Sequence, residues 1–336
     1  MKKILAMIIA AVMMIGLLSA CGSNSAVSGV EKNVSNTDKK IQVVTTIFPE
    51  YDWVRNIVGE EEPHVEFTVL LDNGVDLHSY QPTAADILKI STCDIFIYVG
   101  GESDGWVDDA LKEATNKDMK VINLMEVLGE NVKEEELVEG MEGEEEEEEG
   151  EEGEEEEVEY DEHVWLSLRN VSVICDAITE SLCEVDSVDA EHYRANNAAY
   201  QKQLNELDAK YKEVVTSAKY KTVLFGDRFP FRYMTDDYGL DYYAAFVGCS
   251  AETEASFETI VFLSKKTDEL GLNTILTIET GDKKIAETIR DNTQNKDQQI
   301  LTLDSMQSVT ANDVKEGATY LSIMNNNLEV LKQALN

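Results

Sequence analysis

Two of the chain's four histidines stand where an imidazole can be presented to a ligand: His78 in "GVDLHSYQPTAADI" and His163 in "DEHVWLSLRN". A neutral imidazole offers one nitrogen lone pair to a metal and titrates near physiological pH. His78 falls in the loop after the β-branched run "EFTVLL", just before a helix that Pro82 and Thr83 would start. His163 opens an apolar helical stretch directly after a run of glutamates. Three carboxylates also fall just after predicted strands: Asp304 ends "ILTLD", Glu279 ends "TILTIE" and Asp227 follows "KTVLF". Ligands of open α/β sheets gather at these carboxyl ends. Two imidazoles with carboxylates form a mixed nitrogen and oxygen donor set, which suits a divalent transition metal. Taken singly, each residue has a plainer role: a structural histidine, a solvated carboxylate, or for Asp227 a salt bridge with neighbouring Arg228. His64 lies at a strand start, on the wrong edge of the sheet, and His192 sits among charges on a long helix. No compact motif such as H-E-x-x-H is present.

The elements that must position these residues alternate regularly. From residue 41, "IQVVTTIF", "HVEFTVLL", "CDIFIYVG" and "KVINLME" read as strands separated by amphipathic helices. A second alternation starts at "KTVLFG" and runs through "DYYAAFVG", "NTILTIE" and "QQILTLDS" to a closing helix. Between them, residues 189–217 place Tyr193, Tyr200, Leu204, Leu207, Tyr211 and Val214 at helical intervals, with no Gly or Pro and with Asp189 as a candidate N-cap. The pattern predicts an α/β protein of two lobes, 41–188 and 218–336. Each lobe has a parallel sheet flanked by helices, and one long rigid helix of about 43 Å joins them.

Composition narrows the partners. The formal charge of −39 includes a −20 contribution from residues 134–162, which hold twenty Asp or Glu and no Lys or Arg. Such acidity argues against nucleic acid, whose binding rests on Lys and Arg at phosphates. Lys2-Lys3, an apolar stretch from Ile4 to Leu18 and then "LSAC" have the form of an export signal, residues 1–21. The small residues before Cys21 resemble the bacterial lipoprotein signal, in which that cysteine is lipidated. Residues 22–40 then read as a flexible tether. The expectation is an extracytoplasmic protein that meets the cell membrane through a lipid anchor only. Cys93, Cys175, Cys183 and Cys249 remain; none has zinc-finger spacing and their pairing stays open.

These residues together resemble the metal-binding lipoproteins of ABC-type zinc and manganese importers, the ZnuA-like or cluster A-I solute-binding proteins. The resemblance covers about 41–336. "DLHSYQPTAADILKISTCDIFIYVGGESDGWV" is similar to the family's first ligand histidine with its Tyr, Pro-Thr, apolar strand and Gly-Glu turn. "DEHVWLSLRN" resembles the second ligand motif, "AEHYRANNAAYQKQLNELD" the inter-lobe helix, and "LTLDSM" the last ligand segment. The resemblance implies His78, His163 and Asp304 as metal ligands. A further family ligand, a His or Glu five residues before a Tyr, has no counterpart: Arg228 stands five before Tyr233, and a guanidinium has no lone pair to give. Asp227 shifted by one, Glu279, or a water are the alternatives for that position.

The implied function is capture of zinc or manganese outside the cell by a monomer. Delivery goes to a membrane permease whose cytoplasmic ATPase subunits drive import, and the binding protein itself catalyses nothing. The alternatives are a secreted zinc-dependent hydrolase and a surface adhesin. The glutamate run, including Glu144, Glu145, Glu146, Glu154, Glu155, Glu156 and Glu157, is too polar and like-charged to pack. It is expected as a disordered loop over about 134–160. Its place before His163 makes it an auxiliary gatherer of cations and not the tight site.

Overall fold

The computed structural model describes residues 40–59, 64–143, 159–250 and 254–336. The export signal, Cys21, the tether and the glutamates at 144–146 and 154–157 lie outside these residues.

Two parallel four-stranded sheets carry the fold. In the first lobe β1 (Ile41–Thr45), β2 (Val65–Val69), β3 (Ile95–Tyr98) and β4 (Lys120–Asn123) are ordered β2-β1-β3-β4. Helices α1 (Phe48–Val58), α2 (Ala84–Thr92), α3 (Val107–Lys112), α4 (Leu124–Leu128) and α5 (Leu168–Val185) surround them. The long helix α6 (Ala190–Ser217) follows. In the second lobe β5 (Thr222–Phe229), β6 (Asp241–Val247), β7 (Thr274–Ile278) and β8 (Gln299–Leu303) are ordered β6-β5-β7-β8. Here the helices are α7 (Arg232–Tyr238), α8 (Phe257–Leu270), α9 (Lys284–Asn292), α10 (Ala311–Lys315) and α11 (Tyr320–Ala334). In each sheet the strand order reverses beside the first strand, so a crevice opens at the carboxyl ends there.

The sequence pattern explains these elements. β3 and β7 are buried at every position, as parallel strands covered on both faces must be. The start of α2 is fixed by Thr83, whose hydroxyl accepts the Asp86 N–H while the Asp86 carboxylate accepts the Thr83 N–H. In α6 the buried stripe is Tyr193, Asn197, Tyr200, Leu204, Leu207, Tyr211 and Val215. Val215 takes the buried place expected of Val214, which is only partly buried against the core. Asp189 occupies the N-cap position without a side-chain cap; its carboxylate instead lies 3.3 Å from His64 Nε2. The stripe packs on α1, α5 and α11. One continuous apolar cluster, holding Phe96 and Trp165 as well as Phe225 and Tyr320, runs through both lobes. Separating the lobes would therefore expose apolar surface, which favours small, local opening.

Asp52 of α1 is buried, and its carboxylate accepts the Tyr320 N–H at 2.9 Å, fixing the start of α11 against the first lobe. Burial raises this carboxyl from 3.8 to about 6, against the lowering effects of Tyr320, Arg55 and Asn56. A raised folded pKa means its stabilising share is present below pH 3.8 and lost as pH climbs to about 6. Asp52→Asn keeps an acceptor for Tyr320 without the charge. Between pH 4 and pH 7 its unfolding free energy should gain on wild type by up to about 3 kcal/mol. Denaturant titrations across that range read the difference; a constant offset would show that Asp52 is not penalised for its charge.

Candidate metal centre

The first candidate ligand is set by a tight turn. After β2 the chain forms a short 3-10 turn, Leu77–Ser79, in which the Asp76 carboxylate accepts the His78 N–H at 3.1 Å and Leu77 is buried. The second follows the neck of the acidic segment, where Glu135 N–H donates to Glu159 C=O and Asp161 N–H to Lys133 C=O. Tyr233 of α7 ties this neck to the second lobe. Its hydroxyl donates to Asp161 C=O at 2.7 Å and accepts the Lys133 N–H at 3.0 Å. Residues 134–143 and 159–160 are thus placed by specific contacts, and Glu142 extends the edge of β6 through its bridge to Phe246. Of the segment 134–160 expected as a loop, Glu135, Glu142, Glu159 and Tyr160 find backbone partners, and 144–158 lie outside the described residues.

His163 is fully buried and His78 nearly so, with side-chain exposures of 0% and 9%. Each imidazole has an acceptor on its Nδ1 side. Asp161 Oδ1 lies 3.1 Å from His163 Nδ1. Ser103 Oγ lies 2.8 Å from His78 Nδ1, with Glu162 Oε2 behind it at 3.6 Å. With the ring protons on Nδ1, the tautomer these partners accommodate, each Nε2 is left to offer its lone pair to an ion. The two Nε2 atoms face each other at 3.2 Å. Two imidazoles on a tetrahedral zinc, with Zn–N of about 2.0–2.1 Å, hold their nitrogens about 3.3 Å apart, so the pair is spaced for an ion. Burial, then His163 and Arg228, press the His78 pKa well below its ordinary 6.5 against the opposing pull of Asp76, which keeps that ring neutral.

The turn "GGES" makes room for this arrangement. Gly101 has φ +80° and a Cβ there would fall 2.4 Å from the Glu162 carboxylate, so only glycine lets Glu162 lie across the turn and accept the Ser103 N–H at 2.8 Å. Glu162 Oε2 is buried without a hydrogen-bond partner. Burial raises its carboxyl above the usual range.

The predicted carboxylates are placed differently. Asp227 sits in a bulge of β5, where the register with β6 shifts between Phe225 and Arg228. Its two oxygens accept the backbone N–H groups of Arg228 (2.9 Å) and Ile278 (3.2 Å). Glu279 accepts from the Ser305 N–H (2.7 Å), the Ser305 hydroxyl (2.9 Å) and the Gln307 N–H (3.1 Å), bracing the loop after β8. Asp304 lies in that loop, half-buried, accepting the Met306 N–H at 2.8 Å; burial and then Glu279 raise its carboxyl to about 7. Arg228, the residue in the family's ligand position, turns into the cleft and forms an ion pair with Asp76 across the lobes.

Among the described residues, the metal-competent group that contains the histidines is His78, His163 and Cys249, whose ligand atoms lie within 4.8 Å of one another. Asp304, Asp227 and Glu279 are not members of it. Cys249 follows β6 at its carboxyl end, the same kind of position that marked the other candidates, and that was the signal available in the sequence. With His78, Glu135 and Glu162 it lines a cavity of about 320 Å³. Burial, reinforced by Asp161, Glu162 and Glu135, pushes its thiol pKa up. All four described cysteines are free. A second group, His64, Asp186 and Asp189, lies at the start of β2, away from the cleft.

Two parallel-sheet lobes bridged by a long helix, with paired imidazoles in the cleft, are the build of a solute-binding protein. Solved structures share the two-lobe fold. The zinc-bound ZnuA-like domain of Streptococcus pneumoniae AdcA is 27% identical with a TM-score of 0.68, covering 88% of this chain and 99% of that one. A zinc-bound mutant variant of S. pneumoniae AdcAII is 26% identical, with a TM-score of 0.70 over 89% and 99%. The family model "Zinc-uptake complex component A periplasmic" matches residues 43–334, and the chain belongs to this ZnuA family. Among relatives, the zinc-binding protein AdcA of Streptococcus pyogenes is 30% identical over 87% of this chain. The high-affinity zinc uptake system protein ZnuA of Bacillus subtilis is 28% identical over 95% of this chain and 94% of its own length. The chain spans only 56% of the length of the S. pyogenes AdcA. Family membership is that of a binding component and sets the hydrolase alternative aside.

Proposed function

We propose that this protein captures zinc outside the cytoplasm in the cleft beside His78 and His163 and hands it to an ABC permease for import. The observation that carries the reading is the pair of Nε2 atoms facing each other at 3.2 Å, each ring held by a partner on Nδ1. Family membership and zinc-named relatives support the cargo. Manganese is the runner-up ion, and two buried imidazoles favour zinc over it by the usual order of affinities. Asp304 is the carboxylate that closes on the ion from the second lobe. The protein works as a monomer tethered by a lipid on Cys21. Metal analysis of the purified domain, with zinc and manganese in competition, tests the reading. One zinc per chain retained against excess manganese is expected, and manganese retained in preference would overturn the cargo.

The glutamates at 144–157 serve as a weak, fast-exchanging reservoir beside the cleft. Because Glu142 holds the β6 edge, the clean deletion is 144–158. It should leave one tight zinc per chain while abolishing additional weak binding in titration calorimetry. Loss of the tight zinc would refute the auxiliary role.

A further inference from the structure

Resting on that site, we infer that Cys249 is a further protein ligand, so that a thiolate joins the two imidazoles and the Asp304 carboxylate on the ion. Three separate features place it there. Its ligand atom lies within 4.8 Å of those of both His78 and His163. Tetrahedral zinc, with Zn–S of about 2.3 Å, needs about 3.6 Å between sulfur and nitrogen, so the sulfur closes by at most about 1.2 Å. The turn carrying it is seated on the second imidazole, since a Cβ at Gly248 would stand only 3.0 Å from His163 Cε1. It lines the same cavity as His78 and Glu162.

Arg228 stands in the family's ligand position without a lone pair, and its guanidinium reaches the Ser250 carbonyl next to Cys249 at 3.5 Å. On binding, the zinc–sulfur bond forms as the thiol proton leaves to solvent. The substitution of Arg for a ligating residue on β5 is thereby matched by a donor at the end of the adjacent strand β6. A thiolate is a soft donor, so the set selects zinc against manganese more strongly than imidazole and carboxylate alone.

Cobalt substitution of the whole purified protein tests this without any mutation. Stoichiometric Co²⁺ should give a sulfur-to-cobalt charge-transfer band in the near ultraviolet, absent from Cys249→Ser and retained in Cys93→Ser. Cys249→Ser should also bind one zinc about 100-fold more weakly and lose part of its preference over manganese. Stoichiometric cobalt without the band, or wild-type zinc affinity in Cys249→Ser and Cys249→Ala, overturns the inference. If His163→Ala still weakens zinc in that event, only the cysteine assignment fails; if His163→Ala also binds as wild type, the cleft itself is wrong.

Discussion

His163→Ala is expected to weaken zinc binding about 100- to 1,000-fold, measured by competition with a chelating dye. Structural zinc sites carry about 10–16 kcal/mol over their ligands, so one imidazole accounts for about 3–4 kcal/mol. The variant should still fold. Asp161 Oδ1 keeps the backbone N–H of residue 163, at 2.8 Å, as a partner after the ring is gone. A thermal shift gives the same answer in another measurement. Zinc at about 1,000 times its dissociation constant adds about 4 kcal/mol to wild type, and the variant at equal zinc should show little of this. His78→Ala should behave alike. Equal stoichiometry and affinity in wild type and His163→Ala would remove His163 from the site.

The second large effect is on the frame behind that histidine. Trp165 is fully buried, its indole N–H donates to Ser305 C=O at 2.8 Å, and its own carbonyl accepts the Tyr320 hydroxyl at 2.8 Å. It therefore connects the His163 turn, the Asp304 loop and α11. Trp165→Ala should cost about 3–5 kcal/mol in unfolding free energy through the cavity it leaves. Trp165→Phe retains most of the packing and strands the Ser305 carbonyl, which costs about 1–3 kcal/mol. If the frame positions the ligands, Trp165→Phe also weakens zinc binding while remaining folded. Unchanged affinity would confine Trp165 to packing.

Much of the fold was legible because each element carries its own periodicity. The eight strands, the 28-residue helix α6 and the Thr83 start of α2 follow from local pattern and capping, which need no knowledge of distant neighbours. The two histidines were legible because they stand at or near the ends of patterned elements within recognisable surroundings. Val214 against Val215 was decided by what α6 packs on, which periodicity alone leaves one residue uncertain.

The donor set was a different matter. The sequence by itself determined the α/β alternation, the two imidazoles and the fact that Arg228 cannot ligate. Only the tertiary structure decided that Asp161 and Ser103 steer the rings, and that Asp227 and Glu279 spend their oxygens on backbone N–H groups. It also brought Cys249 to the histidines. The reason is physical. A side chain's type is written locally, but whether its lone pairs are free depends on groups brought beside it from elsewhere in the chain. Asp227 lies in the bulge near the end of β5 and Cys249 just past β6, and only Cys249 is brought within ligand distance of the imidazoles.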